Sequence, residues 1–352
     1  MNRHSAVNGR RVFLKEHHNK IVMVLLFVTG IWVFLFSLTV GHERIYFSEV
    51  VECLVGYIGY QLFNTPKTIH FFLERTIIDS HLPRVLAGLL IGAALSAAGA
   101  VYQGIFRNPK ISPDFLGATT GAGFGAAVAI TLGWTSLGIM ANAFVFGLIA
   151  VTLAYAVSLR SRANPALTLL LAGIMVSALF DSALTYIEAT VDRYSTLPDI
   201  TFWLMGSLVG IRFSMLTYAA PFILAGFVVL FFLRWPVNLL TMGEDESKSM
   251  GVDTGVVRVL AILAATLMTA AGVAVCGKIG WIGLVIPHFA RMLVGYDYRI
   301  LLPASMLMGG VFLMLVDILA RYWGKELPLG MLTAFIGVPF FLYLLLGRRY
   351  RM

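Results

Sequence analysis

The run in this sequence most suggestive of chemistry is Gly243-Glu-Asp-Glu-Ser-Lys248-Ser249, whose lysine and serine sit where a phosphate-cradling loop would hold a nucleotide. It lacks the glycine before the lysine. Glu244, Asp245 and Glu246 would also repel the phosphates that such a loop must hold. Any nucleotide-driven work therefore belongs to a separate subunit. The seven histidines are dispersed, with no His-x-x-x-His pair inside an apolar run. His288, in Ile-Pro-His-Phe-Ala-Arg, has no companion ligands and reads as a structural interfacial histidine. No Gly-x-Ser-x-Gly elbow is present, and Cys53 and Cys276 form no disulfide or metal-ligand pattern. We expect no catalytic residue, no metal site and no cofactor. Within apolar runs, Asp181 stands alone, and Asp317 and Arg321 stand four apart, an acid N-terminal to a base as helix pairs prefer. Read alone, that couple is a mutually neutralised surface pair near one face of a membrane. The row of titratable groups used by proton-driven carriers is missing.

The elements that must position these residues are membrane helices. Of 352 residues, 59% are hydrophobic and 12% charged, with mean hydropathy +0.85, and soluble domains carry about twice that share of charge. The apolar runs are near twenty residues, so the fold class is an all-α polytopic membrane protein rather than a barrel. The net charge of +8 comes from basic residues scattered over short loops and both ends. Such charges orient the chain in lipid and do not call for nucleic acid. Ten spans are expected, at 21–40, 83–106, 115–132, 141–159, 168–189, 215–233, 257–275, 280–294, 300–322 and 328–346. With the N-terminus inside, inner segments hold 17 of the 26 Lys and Arg residues, so both termini are placed in the cytoplasm. The chain then reads as one transmembrane domain, 1–352, with a cytoplasmic N-terminal segment 1–20 and a retained first span. Residues 234–256 form the one cytoplasmic loop with enough polar, helix-compatible sequence to build a structure of its own.

Residues 81–125 are the part around which the chain is arranged. Span 2 carries Gly88, Gly92 and Gly99 with alanines and Ser96 between them, and span 3 carries Gly117 and Gly121. Small residues three and four apart let helix backbones approach closely in lipid, where packing rather than the hydrophobic effect joins helices. Arg84-Val-Leu-Ala87 at the start of span 2 recurs as Arg258-Val-Leu-Ala261 at the start of span 7, and Ala97-Ala-Gly99 recurs as Ala270-Ala-Gly272. Spans 2 and 7 cross in opposite directions, so spans 2–5 and 7–10 read as an inverted repeat of the kind that frames a transport pathway.

Five stretches now carry a resemblance. They are LPRVLAGLLIGAALSAAGAVYQGIFRNP (82–109), LLLAGI (169–174), FWLMGSL (202–208), GKIGWIGLVIPHFARMLVGYDYRILLP (277–303) and ELPLGMLTAFIGVPFFLYLL (326–345). Together they resemble the permease subunits of type II ABC importers for iron–siderophores, haem and cobalamin. The resemblance implies a ten-helix permease of the prokaryotic cytoplasmic membrane, paired with a second copy or a sibling permease and surrounded by lipid. It also implies two copies of a cytoplasmic ABC ATPase and an extracytoplasmic substrate-binding protein. An iron chelate is the first reading of the cargo, with haem or cobalamin next; a ten-helix secondary transporter is the alternative from another class.

Carried over by position, the family's docking arginines correspond to Arg84 and Arg321, expected as exposed rim charges that orient the binding protein. A third falls on His81, a departure that makes its contact weaker or pH-dependent. The family's ATPase-coupling segment corresponds to 241–252, with Gly243, Glu244 and Gly251 matching and Lys248 departing. The family's cytoplasmic gate falls at Pro165, Ala166 and Leu167, by position alone.

Overall fold

The computed structural model describes residues 3–41, 45–63, 71–160, 165–322 and 327–346. Among them are fourteen α-helices and no strand. They are α1 (Arg3–Thr39), α2 (Phe47–Phe63), α3 (Phe71–Glu74), α4 (Leu82–Ile105), α5 (Ala118–Thr131), α6 (Ser136–Leu159) and α7 (Pro165–Thr190). There follow α8 (Thr196–Leu204), α9 (Phe213–Leu240), α10 (Glu244–Ser249), α11 (Thr254–Cys276), α12 (Ile282–Val294), α13 (Tyr298–Tyr322) and α14 (Leu329–Leu346). Seven helices are long and apolar enough to cross a membrane, and three shorter apolar ones lie at α5, α12 and α14. These ten coincide with the ten expected spans.

Helices α4 and α11 form the centre. Of their apolar windows 83% and 72% are buried, against 17% for α1, which lies at the periphery. They run antiparallel, because Tyr102 Oη meets Thr266 Oγ1 at 2.9 Å while Ile91 packs against Gly272 farther along. In each half a buried long helix is followed by a short one, α5 of 14 residues or α12 of 13. The contacts then cross over: α4 packs on α12 and α13, and α11 packs on α5 and α6. That reciprocal exchange is what an inverted repeat produces.

The small residues of α4 set how close those neighbours come. A Cβ on Gly92 would overlap the carbonyl oxygen of Gly309, and one on Gly309 would overlap that of Gly92. A Cβ on Gly99 would overlap the carbonyl of Gly283. At Gly121 it would sit 2.5 Å from the Phe146 oxygen, whereas Gly88 has only an ordinary 3.4 Å contact to Leu208. Gly117 serves the backbone instead: at φ +88 it closes the 3-10 turn Pro113–Leu116 before α5 begins.

Several boundaries differ from the sequence reading. Pro83 does not start a helix. The chain is already helical from Phe71, and a π-helical stretch, Arg75–His81, joins α3 to α4. Pro83 has no N–H to give and its ring would crowd a preceding carbonyl, so widening to i→i+5 bonds lets the helix pass through it. The segment 41–82, which lies between the first two expected spans, contains α2 as well. Helix α9 extends through Pro236 to Leu240, so the independent structure in 234–256 is confined to the residues after it. The N-terminal segment 1–20 is, in its described part, the start of α1.

Candidate functional site

One end of the bundle gathers His81, Arg84 and Arg321 into a single cluster. Arg84 on α4 donates from Nε to Asp317 Oδ1 at 2.9 Å. Arg321, one helical turn past Asp317 on α13, places Nη2 3.0 Å from Asp317 Oδ2, an ion-pair contact without hydrogen-bond geometry. Its Nη1 donates to the carbonyls of Ser37 (2.9 Å) and Val40, and its Nη2 to Ser37 Oγ. His81 Nδ1 donates to the Leu38 carbonyl at 2.9 Å. A helix ends with carbonyls that have no intrahelical donor and with partial negative charge. Here a guanidinium and an imidazole from two other elements supply the missing donors at the end of α1. Two cations share one carboxylate, and the terminus of α1 offsets the remaining positive charge.

The exposed rim arginines of the sequence reading are therefore corrected: Arg84 is 9% exposed, Arg321 5% and Asp317 1%. So is the surface couple, since Asp317 is a buried hub bonded from two helices. Bringing α1, α4 and α13 together encloses the group, and no local spacing reveals that. The signal available in sequence was the acid at membrane depth, which is costly unless paired.

The opposite end carries α10. Asp253 caps α11 by accepting from the Gly255 and Val256 N–H groups at 2.9 and 3.1 Å. Gly243 at φ +153 and Gly251 at φ +80 take conformations that favour glycine and bracket the six-residue helix. Between them Ser247 is buried and its Oγ donates to the Leu239 carbonyl at 2.8 Å, tying α10 to the end of α9. Glu244 forms an ion pair with Arg258 of α11. The hydrogen bond from Arg258, with its charge, holds the Glu244 carboxyl below the usual carboxylate range. Asp245, Glu246, Lys248 and Met250 face outward. The acidic run that resembled a phosphate loop is thus a short helix with its first acid committed to Arg258.

A second polar group at this end escaped the sequence reading. Gln103 of α4 donates to the Gly283 and Leu284 carbonyls at 3.2 and 3.3 Å and accepts from Arg291 Nη1 at 2.6 Å. Tyr298 Oη donates to the Ala100 carbonyl at 2.8 Å. Gln103 inside an apolar span was the signal. The expected gate residues Pro165 and Ala166 open α7, and Leu167 is exposed. Residues 161–164 before them lie outside the described residues. Asp181 is exposed on α7. Among the described residues no group of three or more His, Cys, Asp or Glu could hold a metal.

Comparison with known proteins places this architecture. The model of the FecCD transport family matches residues 25–347. The molybdate import system permease protein MolB of Haemophilus influenzae is 38% identical, the match covering 76% of this chain and 80% of that one. The cobalamin import system permease protein BtuC of Halobacterium salinarum is 38% identical over 84% and 79%. A probable iron chelatin transport system permease protein of Helicobacter pylori is 37% identical over 96% and 99%. A solved structure described as an inward-facing, metal-chelate-type ABC transporter superposes with TM-score 0.82 at 34% identity, covering 93% of this chain and 99% of that one. The chain belongs to the FecCD transport family.

Proposed function

We propose that this FecCD-family chain is the membrane-spanning permease subunit of an ABC importer, carrying an iron(III)–siderophore-type chelate across a prokaryotic cytoplasmic membrane. The observation that carries the reading is the likeness, over nearly the whole chain, to a solved metal-chelate-type ABC transporter. Two copies of a separate ATPase supply the energy, since the acidic run of this chain forms α10 and no phosphate cradle. A second permease, identical or sibling, completes the pathway. The cobalamin and molybdate relatives support the same machine with other cargo, and haem belongs to the same group of bulky chelates.

In this reading the α10 end faces the cytoplasm together with both termini, in keeping with the distribution of basic residues. Gly243, Glu244 and Gly251 define the segment that seats in the ATPase, and Arg258 passes its movement to α11 at the centre of the bundle. Pro165, Ala166 and Leu167 form part of the cytoplasmic gate. The His81, Arg84 and Arg321 end receives the extracytoplasmic binding protein. For a partner carboxylate to meet either arginine it must displace Asp317 or the α1 carbonyls, so docking there is an exchange of partners.

The test is reconstitution in liposomes with the cognate ATPase and binding protein. Uptake of iron-55 as a ferric hydroxamate or catecholate chelate should require ATP and all three components. Parallel assays with cyanocobalamin, haem and molybdate identify the cargo. ATP hydrolysis by the contaminant-free chain alone, or uptake independent of ATP, would falsify the proposal.

A further inference from the structure

A pocket of about 240 Å³ opens between the ends of α4, α9, α12 and α13, lined by Thr241 just ahead of α10. Its lining includes Arg107, Asn108, His288, Arg291 and Tyr296, and contains no carboxylate. Arg291 is braced by two neutral partners, Gln103 Oε1 at 2.6 Å and Tyr298 Oη at 3.5 Å, and neither offsets its charge. Among the described residues, neither Arg107 nor Arg291 forms an ion pair. Of the nearby acids, Glu244 pairs with Arg258 and feels the Arg107 charge only as the smallest of several influences, and Asp297 lies 4.0 Å from Arg299. Arg107 sits just past the end of α4 at φ +47, a backbone conformation uncommon for a residue with a Cβ. That conformation ends α4 and leaves the side chain on the pocket wall rather than continuing the helix.

Two guanidiniums on one concave wall, with an imidazole and an amide alongside, are a recognition set for a tetrahedral oxyanion. The volume is below that of pockets for drug-sized ligands, so it suits a phosphate group and excludes a bulky chelate. The place also fits, because helix ends lie at headgroup depth in a bilayer and basic pockets between membrane helices bind anionic headgroups. We propose that this pocket is a phosphate-binding site, distinct from the cargo pathway, filled by an anionic lipid headgroup or by free phosphate. An occupant there would bridge α4 to α12 and supply the counter-charge that the chain itself does not give Arg291. It would also lie next to α10, so its occupancy would stiffen the segment proposed to seat the ATPase.

The experiment uses the full-length chain and two probes. In neutral detergent, inorganic phosphate is titrated against the wild type, Arg107→Gln, and Arg107→Lys. In nanodiscs, the same proteins are compared in phosphatidylcholine with and without phosphatidylglycerol, and the unfolding midpoint is read in both arms. Arg107 is exposed and, among the described residues, its side chain makes no hydrogen bond or ion pair, the backbone N–H alone bonding to the Gly104 carbonyl, so Arg107→Gln keeps the bracing of Arg291 intact. The expected result is saturable stabilisation that Arg107→Gln weakens about tenfold in apparent Kd and Arg107→Lys largely restores. Stabilisation by free phosphate assigns the soluble ion, and stabilisation by phosphatidylglycerol alone assigns the lipid. No saturable effect of either probe, or an effect that Arg107→Gln leaves unchanged, overturns the proposal. Neither outcome depends on the identity of the cargo.

Discussion

Arg84 and Asp317, separated by 233 positions in sequence, meet at 2.9 Å inside the bundle. This contact fastens the first helix of one half to the third helix of the other, and Arg321 extends it to the end of α1. Removing one member of a buried ion group costs more than the group contributes, because the charge left behind has no water. Asp317→Asn leaves two guanidiniums facing each other. We expect it to destabilise the protein by about 3–5 kcal/mol, read as a lowered unfolding midpoint in detergent. Arg321→Lys should also be damaging, since an ammonium cannot reach Asp317, Ser37 and Val40 together as the planar fork does. A wild-type midpoint for both variants would show that the cluster holds nothing together.

How much of this is legible in the sequence depends on the range of the interaction. The ten apolar helices, the segment around α10 and the crossing of two related halves follow from patterns local to each span, and all are readable. The pairing of Arg84 with Asp317 is not, because each residue has a plausible local role: an interfacial anchor for one, an i,i+4 partner for the other. Burial is the missing quantity. It depends on α1 covering that end, and α1 is the span whose sequence says least about what it touches. Gln103 and Arg291 illustrate the same point, since 188 residues separate them and only the packing of α12 on α4 joins them. The π-helical entry to α4 is hidden by Pro83, whose usual meaning is a helix start.

The glycines of α4 make a graded prediction. Gly92→Val and Gly99→Val place side-chain atoms against the Gly309 and Gly283 carbonyls, which are backbone and have nowhere to go. Overpacking of this kind costs typically about 1–3 kcal/mol and more where backbone must shift, so both variants should give little monodisperse protein on size exclusion. Gly280→Ala meets nothing within 4 Å and should behave as wild type. Gly88→Ala should be tolerated as well. Equal yields across the set would mean that close approach at the two crossings is not needed for folding.

At the other end, Glu244 and Arg258 determine whether α10 is anchored. Glu244→Gln or Arg258→Gln should raise amide exchange across 244–252 while leaving α11 protected, because the Asp253 cap is untouched. The pH dependence has a definite sign. The carboxyl titrates below its ordinary value of 4.5 in the folded protein, so the anchoring is fully present above that value. It is lost only as pH falls through the depressed value. Between about pH 6 and 8 exchange in this segment, corrected for its intrinsic pH dependence, should not change through Glu244. A marked loss of protection in that neutral window would point to another titrating group.

At the end proposed to receive the binding protein, two mechanisms can be separated by one residue. If Arg84 and Arg321 serve only to hold α1, α4 and α13 in register, any change at Asp317 should leave binding-protein affinity the same or weaken it. If a partner carboxylate exchanges with Asp317, that residue is a competitor, and removing it should strengthen docking. We expect the second outcome: folded Asp317→Asn should bind the partner more tightly, by about tenfold or 1.4 kcal/mol, despite its lower stability. Arg84→Glu and Arg321→Glu should each weaken binding at least as much, and a partner Glu→Arg exchange should restore part of the loss. Added salt should reduce the wild-type affinity, since the partner's carboxylate is exposed before docking and its attraction is screened beyond about 10 Å at 0.1 M. Affinity is measured on the monodisperse fraction of each variant in nanodiscs, so that unfolded protein does not enter the comparison. An Asp317→Asn variant that folds and docks more weakly than wild type would refute exchange, leaving His81 and Arg321 as the clamp on α1 and Arg84 as the tie between α4 and α13.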